Sequence, residues 1–154
     1  MTEFQVPHEG VAFRIIGNVS QRAIYSRLTG DPVFGAVPAS DGPSKESYWS
    51  IIKGTGSKDG LFLFKNRVTG KVLYSRASAK PYVWHTDGGG RYFDNWFKLI
   101  PGTKENAGMA RLVAPSTDTV LVSRANTDEI ANHPYEGYKV YNDQWFKFEH
   151  EKVH

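Results

Sequence analysis

The chain repeats one short pattern three times along its length. Tyr25-Ser26-Arg27 returns as Tyr74-Ser75-Arg76 and again as Val122-Ser123-Arg124, so the arginines are 49 and 48 residues apart. A second pattern recurs in step, because an acidic residue follows each arginine by 19, 18 and 19 residues: Glu46, Asp94 and Asp143. Two patterns in register indicate an internal threefold repeat. We place the three repeats at about residues 10–55, 56–104 and 105–154.

Each repeat contains short apolar runs separated by turn residues. A predicted hairpin opens each repeat, with strands at residues 11–16 and 22–25, 61–64 and 71–74, and 109–113 and 119–122. Gly- and Pro-rich stretches follow and are predicted as long loops, at residues 28–45, 77–93 and 125–142. An apolar strand closes each repeat, at residues 48–52, 96–100 and 145–149. No window shows the spacing of an amphipathic helix.

About four short strands per repeat, repeated three times without a helix, predict an all-β fold. A closed sheet is favoured, because closure leaves no unpaired strand edge. A repeat of about 50 residues also fits a propeller blade, but three blades are fewer than propellers normally have. The β-trefoil has the required strand count, with a six-stranded barrel, a cap of hairpins and a pseudo-threefold axis. We therefore predict a single β-trefoil domain over residues 1–154.

Composition argues against several classes of protein. With 154 residues, 40% hydrophobic and 14% aromatic, the chain can bury a core. It has no cysteine, which excludes disulfides and thiolate metal sites. Its net charge of +3 is spread along the chain, which is not typical of nucleic-acid binding. Neither a membrane-spanning run nor a signal-peptide pattern is present, so we expect a cytoplasmic or non-classically secreted protein.

The enzymatic alternatives lack their motifs. Ser26, Ser75 and Ser123 have no nucleophile elbow and no nearby base, and no two histidines have metal-ligand spacing. The glycines at 88–90 are not followed by a helix, as a phosphate-binding loop requires. The acids recur once per repeat, which separates them too widely for glycoside hydrolysis. We therefore expect no catalysis, no metal site and no cofactor.

The repeated polar positions are better suited to holding a neutral sugar. A carboxylate accepts hydrogen bonds from adjacent hydroxyls, an amide donates and accepts, a cationic group donates, and an aromatic ring covers the apolar C–H face. The candidates are Arg27, Phe34, Glu46 and Ser47 in repeat one, Arg76, Trp84, His85, Tyr92, Asp94 and Asn95 in repeat two, and Arg124, Asn132, His133, Tyr141, Asp143 and Gln144 in repeat three.

The histidines distinguish the repeats. His85 and His133 each follow their arginine by nine residues, so we expect them at equivalent positions. Repeat one has Ala36 at that spacing, and we expect it to bind most weakly. Trp84, His85, Asn132 and His133 lie in predicted loops, where a side chain has fewer structural roles, so they distinguish binding from structure best.

Structural roles compete with binding at several of these positions. Trp49, Phe97 and Phe146 are more typical of repeated core layers than of sugar platforms. Each arginine could join its loop to the acid of its repeat through a salt bridge. The carboxylates of Asp94 and Asp143 could cap turns.

Several longer strings carry a resemblance that runs nearly from end to end. They are Val6-Pro7-x-Glu9-Gly10, Thr69-Gly70-Lys71-Val72-Leu73, Lys80-Pro81-Tyr82-Val83 and Gly90-Arg91-Tyr92-x-Asp94-Asn95-Trp96-Phe97-Lys98. The sequence resembles the mushroom β-trefoil lectins, in particular the lectin domain of the haemolytic pore-forming lectin of Laetiporus. Those haemolysins continue into an aerolysin-like module, which has no counterpart in these 154 residues, so haemolysis is not carried over.

The resemblance implies a non-enzymatic lectin that needs no metal. Its expected ligands are galactose, lactose, N-acetyllactosamine and N-acetylgalactosamine, bound in two or three pockets around Asp94-Asn95, Asp143-Gln144 and their loops. Its partners would be galactose-containing glycans on glycoproteins or glycolipids, and a homodimer is an open alternative to a monomer. The competing functions are a β-trefoil protease inhibitor, which would use one distinctive loop, and a scaffold or storage protein that binds neither sugar nor protease.

Overall fold

The computed structural model describes residues 3–27, 33–35, 45–75, 83–87, 92–125, 127, 129–135 and 141–151. Within these ranges, twelve strands fall into three groups of four: β1 Phe13–Gly17, β2 Ile24–Ser26, β3 Val33–Gly35 and β4 Tyr48–Lys53; β5 Phe62–Asn66, β6 Val72–Ser75, β7 Val83–Thr86 and β8 Lys98–Pro101; β9 Met109–Ala114, β10 Thr119–Ser123, β11 Ile130–Pro134 and β12 Phe146–His150. One-turn 3₁₀ helices occupy Lys45–Ser47, Gly56–Lys58, Phe93–Asn95, Lys104–Asn106 and Asn142–Gln144. These described ranges contain no α-helix.

Six strands close into a barrel. β1 pairs antiparallel with both β12 and β4, β4 pairs with β5, and β9 pairs with both β8 and β12. An antiparallel bridge between Phe62 and Phe97 joins the remaining two neighbours, β5 and β8. Each repeat adds a two-stranded hairpin, formed by β2 and β3, β6 and β7, or β10 and β11. The predicted all-β class and β-trefoil fold are therefore confirmed.

The long loops of the prediction each contain a strand. β3, β7 and β11 lie inside the stretches expected to lack secondary structure, and each pairs with the strand that ends at the Ser-Arg pattern. They are only three to five residues long, which is too short for a reliable periodic signal in the sequence. Tertiary pairing therefore decides their conformation.

The core is formed by apolar side chains of the barrel strands and the hairpins. Trp49, Phe97 and Phe146 are fully buried, as expected for repeated core residues. Phe64 contacts Phe97 edge to face, with the ring centroids 5.8 Å apart. The Trp49 indole N–H donates to the backbone carbonyl of Ile24 at 2.9 Å, so this buried polar atom is satisfied.

Hydroxyl pairs connect neighbouring repeats. The serine of each Ser-Arg pattern is buried, and its hydroxyl lies within hydrogen-bond distance of a hydroxyl in another repeat. The pairs are Ser26 with Thr69 at 2.8 Å, Ser75 with Thr119 at 3.2 Å, and Ser123 with Ser20 at 2.6 Å. At the third contact Gly17 allows close approach, because a Cβ on Gly17 would lie 2.8 Å from the Cβ of Ser123. The Ser-Arg pattern therefore marks where the repeats join.

Core packing yields a stability prediction. Phe97→Ala should lower the free energy of unfolding by about 3–5 kcal/mol, because it leaves a cavity beside Phe64 at the junction of β5 and β8. Chemical denaturation measures this difference. Val68→Ala is the control, because Val68 is 53% exposed and should change the value by less than about 0.5 kcal/mol. Equal effects of the two substitutions would contradict the assignment of Phe97 to the core.

Candidate binding pockets

Two pockets lie at corresponding positions of repeats two and three. The repeat-two pocket has a volume of about 260 Å³ and is lined by Tyr74, His85, Thr86, Tyr92 and Asp94. The repeat-three pocket has a volume of about 180 Å³ and is lined by Val122, Arg124, His133, Tyr141, Asp143 and Gln144. The structure thus brings together a histidine, a tyrosine and an aspartate in each pocket.

A one-turn 3₁₀ helix positions the tyrosine and the aspartate. In repeat two, the backbone N–H of Asn95 donates to the carbonyl of Tyr92 at 3.1 Å, and the N–H of Tyr92 donates to Asn95 Oδ1, also at 3.1 Å. Asn95 is fully buried, so its side chain holds the turn together. Tyr92 remains 52% exposed and Asp94 is half-buried at the pocket wall.

The corresponding turn in repeat three has the same backbone hydrogen bond. The N–H of Gln144 donates to the carbonyl of Tyr141 at 3.1 Å, and Tyr141 is 51% exposed. Gln144 is buried but also lines the pocket, which Asn95 does not. Each of the two turns therefore presents a tyrosine and an aspartate to its pocket, followed by a buried asparagine in repeat two and a buried glutamine in repeat three.

The strand register corrects the expected equivalence of the two histidines. His85 is opposite Leu73, whereas the corresponding Leu121 is opposite Asn132. Asn132, and not His133, therefore occupies the position that corresponds to His85. The connection between the paired strands is one residue longer in repeat two than in repeat three. Counting nine residues from each arginine consequently reaches different positions.

The same register assigns the remaining positions. Thr86 is opposite Val72 and His133 is opposite Val120, so Thr86 and His133 correspond to each other at the pocket wall. In repeat one, Ile24 is opposite Gly35, so Gly35 rather than Ala36 corresponds to His85.

His85 is buried and lines the repeat-two pocket. Its Nδ1 lies 2.5 Å from the hydroxyl oxygen of Ser26 in repeat one. Burial and the nearby Lys71 ammonium lower its pKa from 6.5 to about 4, and Asp87 opposes this shift only partly. The imidazole is therefore neutral near pH 7.

His133 and its neighbour Asn132 have different surroundings. The ring of His133 is half-buried and meets Tyr141 edge to face at a centroid distance of 6.0 Å. Asn132 Nδ2 donates to Ser75 Oγ at 2.9 Å, which ties β11 to repeat two. His133 thus lines the pocket, while Asn132 contributes to the contact between repeats.

Several other predicted residues that the structure describes do not line either pocket. Trp84 is on β7 and packs against the core cluster, so it is not a loop residue. Ser47 is buried, the backbone carbonyl of Glu46 accepts from Asn66 Nδ2 at 2.8 Å, and the Arg27 guanidinium lies 5.5 Å from the centre of the Tyr25 ring. Arg76 and the side chain of Phe34 lie outside the described residues.

Three lining residues, Tyr74, Thr86 and Val122, were missed by reasoning from the sequence. Tyr74 and Val122 stand two residues before an arginine, within the repeated pattern itself. Residues i and i+2 of a strand share a face, so extending the predicted strands 71–74 and 119–122 by two residues would have placed Tyr74 and Val122 beside their arginines. Thr86 has no such signal, because β7 was predicted as loop.

Comparison with known proteins establishes the family. No family model and no curated protein matches the sequence. The BEL β-trefoil, solved in an apo crystal form, is 33% identical, with 98% of this chain and 100% of that chain covered and a TM-score of 0.86. The chain belongs to this β-trefoil family.

More distant β-trefoils share the fold. SeviL, solved bound to the asialo-GM1 saccharide, is 12% identical, with a TM-score of 0.70 over 90% of this chain and 95% of that chain. A GlcNAcα1-4Gal-releasing endo-β-galactosidase from Clostridium perfringens is 15% identical, with a TM-score of 0.74 over 93% of this chain and 33% of that chain. The fold therefore occurs in a saccharide-binding protein and also as part of an enzyme.

The described part of the chain contains neither a membrane-spanning helix nor a cluster of metal ligands. None of its helices is both long and apolar enough to cross a membrane. Within the same ranges, no three His, Asp or Glu side chains gather as the ligands of a metal ion would.

The lowered pKa of His85 yields a pH prediction. Between about pH 6.5 and 4 the unfolded chain binds a proton at this histidine that the folded chain does not, so the free energy of unfolding should fall as the pH falls. In His85→Gln this part of the pH dependence should vanish, as thermal midpoints between pH 7 and 4 would show. Thr86→Ala, a control that changes a non-titrating residue of the same pocket, should keep the wild-type dependence. Identical profiles for wild type and His85→Gln would contradict the assignment.

Proposed function

We propose that the protein is a lectin that binds galactose-type sugars in the repeat-two and repeat-three pockets without catalysis. One observation carries the proposal. In both pockets a half-exposed tyrosine immediately precedes a one-turn 3₁₀ helix, and the aspartate lies within that helix. A structural role alone would not need an exposed ring beside an acid at two related places.

The chemistry of this pair suits a neutral sugar. The faces of Tyr92 and Tyr141 can cover the apolar C–H surface of a sugar ring. The carboxylates of Asp94 and Asp143 can accept hydrogen bonds from two adjacent hydroxyls. Both pockets are small, which favours recognition of a terminal sugar over a long chain.

The galactose preference has two supports. A galactose-type sugar has an axial 4-hydroxyl, which leaves a continuous apolar face for the tyrosine. The sequence also resembles galactose-binding mushroom lectins, and SeviL on the same fold binds the asialo-GM1 saccharide. Galactose, lactose, N-acetyllactosamine and N-acetylgalactosamine are therefore the proposed ligands, displayed as glycans on glycoproteins or glycolipids.

Two pockets on one chain make the proposed binding multivalent. Each shallow pocket alone should bind weakly, with a Kd of about 1 mM. Clustered glycans raise the effective concentration at the other pocket and so strengthen the overall binding. A protease inhibitor would depend on one distinctive loop, whereas these two pockets share their tyrosine and aspartate.

The two acids provide the first test. Asp94→Asn combined with Asp143→Asn should abolish binding to a glycan array and agglutination of cells, because each change removes the charged acceptor at nearly constant volume. The thermal midpoint should stay near that of wild type. Asp118→Asn, at an exposed turn outside both pockets, should bind as wild type does. Normal, lactose-inhibited binding by the double variant would refute the proposed site.

The tyrosines provide a second test, directed at the apolar contact. Tyr92→Ala should weaken lactose binding in the repeat-two pocket about tenfold, since an aromatic contact contributes about 0.5–1.5 kcal/mol beyond the area it buries. Tyr92→Phe should stay within about twofold. Phe93→Ala is the matched control, because Phe93 is also exposed, at 43%, but does not line the pocket. Chemical-shift titration follows each pocket separately, and equal losses in Tyr92→Ala and Phe93→Ala would exclude a specific contact.

A further inference from the structure

A series of hydrogen-bonding groups leads from Lys71 and Thr69 of repeat two, through Ser26 of repeat one, to His85 in the repeat-two pocket. The backbone N–H of Lys71 donates to Thr69 Oγ1 at 3.2 Å, and this oxygen lies 2.8 Å from Ser26 Oγ. Ser26 Oγ in turn lies 2.5 Å from His85 Nδ1. Ser26 is fully buried, so its hydrogen bonds are confined to the neighbours that surround it.

One direction of these hydrogen bonds gives every hydroxyl hydrogen an acceptor within the protein. A hydroxyl has one hydrogen and two lone pairs. Thr69 already accepts from a backbone N–H, so its hydrogen can go to Ser26, and the hydrogen of Ser26 can go to His85 Nδ1. In the reverse direction the Thr69 hydrogen would have no acceptor in the described part of the chain. Ser26 is fully buried and Thr69 is half-buried, so the first direction gives both hydroxyl hydrogens a protein acceptor, whereas the reverse direction leaves the Thr69 hydrogen to solvent.

The state of the histidine agrees with this direction. Because burial and Lys71 lower the pKa of His85 to about 4, the ring carries only one hydrogen near pH 7. If Nδ1 accepts from Ser26, that hydrogen is on Nε2. The described residues make no hydrogen bond to Nε2, while His85 lines the pocket.

We propose that Ser26 and Thr69 hold His85 in its Nε2–H tautomer, so that His85 presents an N–H donor to an oxygen of the sugar in the repeat-two pocket. Ser26 is a positioning residue, supplied by repeat one to the site of repeat two. The sugar contact rests on the proposed function, whereas the tautomer does not.

Ser75 and Ser123 also contact a hydroxyl of another repeat, but among the residues that the structure describes neither passes a hydrogen bond on to a histidine as Ser26 does. Ser75 Oγ accepts from Asn132 Nδ2, so the amide is the donor there. Ser123 pairs with Ser20, which accepts from the N–H of Arg22 at 3.2 Å, as Thr69 accepts from Lys71. Within the described ranges neither of these serines makes a hydrogen bond to an imidazole, so Ser123→Ala removes a comparable buried hydroxyl bond away from His85.

The tautomer can be measured on the sugar-free protein. In a long-range ¹H–¹⁵N spectrum of histidine-labelled protein at pH 7, His85 should show the Nε2–H pattern. Ser26→Ala should add the Nδ1–H form, while Ser123→Ala should leave the signal of His85 unchanged. Thr69→Val, which removes the first hydroxyl at nearly constant shape, should shift it in the same direction as Ser26→Ala. An Nδ1–H pattern in wild type would overturn the proposal whether or not the variants fold.

Binding tests the second half of the proposal. Ser26→Ala should weaken lactose binding in the repeat-two pocket about tenfold and leave the repeat-three pocket unchanged, as residue-resolved titration would show. Ser123→Ala should alter neither pocket. Undiminished binding in Ser26→Ala would overturn the donor role of His85. Failure of wild type to bind any galactoside would overturn the proposed function, while the tautomer would still report on the hydrogen-bond chain.

Discussion

The hydroxyl contact between neighbouring repeats is the interaction on which the pockets depend. Ser26, Ser75 and Ser123 are buried where two repeats meet, and the hydroxyl of each lies within hydrogen-bond distance of a hydroxyl in the neighbouring repeat. Buried hydroxyls are costly unless paired, so these contacts select the docking of the three hairpins on the barrel. The pockets form beside them, because β7 and β11 carry pocket residues and contact these serines.

The pseudo-threefold fold therefore supports unequal sites. The same tyrosine and aspartate recur on the 3₁₀ turns that precede β8 and β12. The hairpin residues beside them differ, because one additional residue in the connection before β7 shifts its register relative to β11. Repeat two thus has a buried neutral histidine at the position where repeat three has Asn132.

Some features of the fold and of the pockets were predictable from the sequence, and others were not. The spacing of the arginines and acids predicted the threefold repeat, the closed all-β fold and the grouping of Tyr92 with Asp94 and of Tyr141 with Asp143, since these relations are local or follow from the repeat. Trp84 was assigned to a loop, because a four-residue strand has little periodicity of its own. Asn95 was predicted to contact sugar, and this stays a prediction; its Oδ1 accepts from the backbone N–H of Tyr92, a local role that its position in the sequence did not reveal.

By itself, the sequence determined the number of repeats, the all-β class and the residue types available to each pocket, because periodicity and spacing are properties of the linear chain. Only the tertiary structure decided which residues share a pocket. The pairing of β6 with β7 and of β10 with β11 sets the register. Because the connection before β7 is one residue longer than the connection before β11, counting a fixed number of residues from each arginine does not reach corresponding positions. The contact of Ser26 with His85 likewise joins residues 59 positions apart, which only the docking of two repeats can bring together.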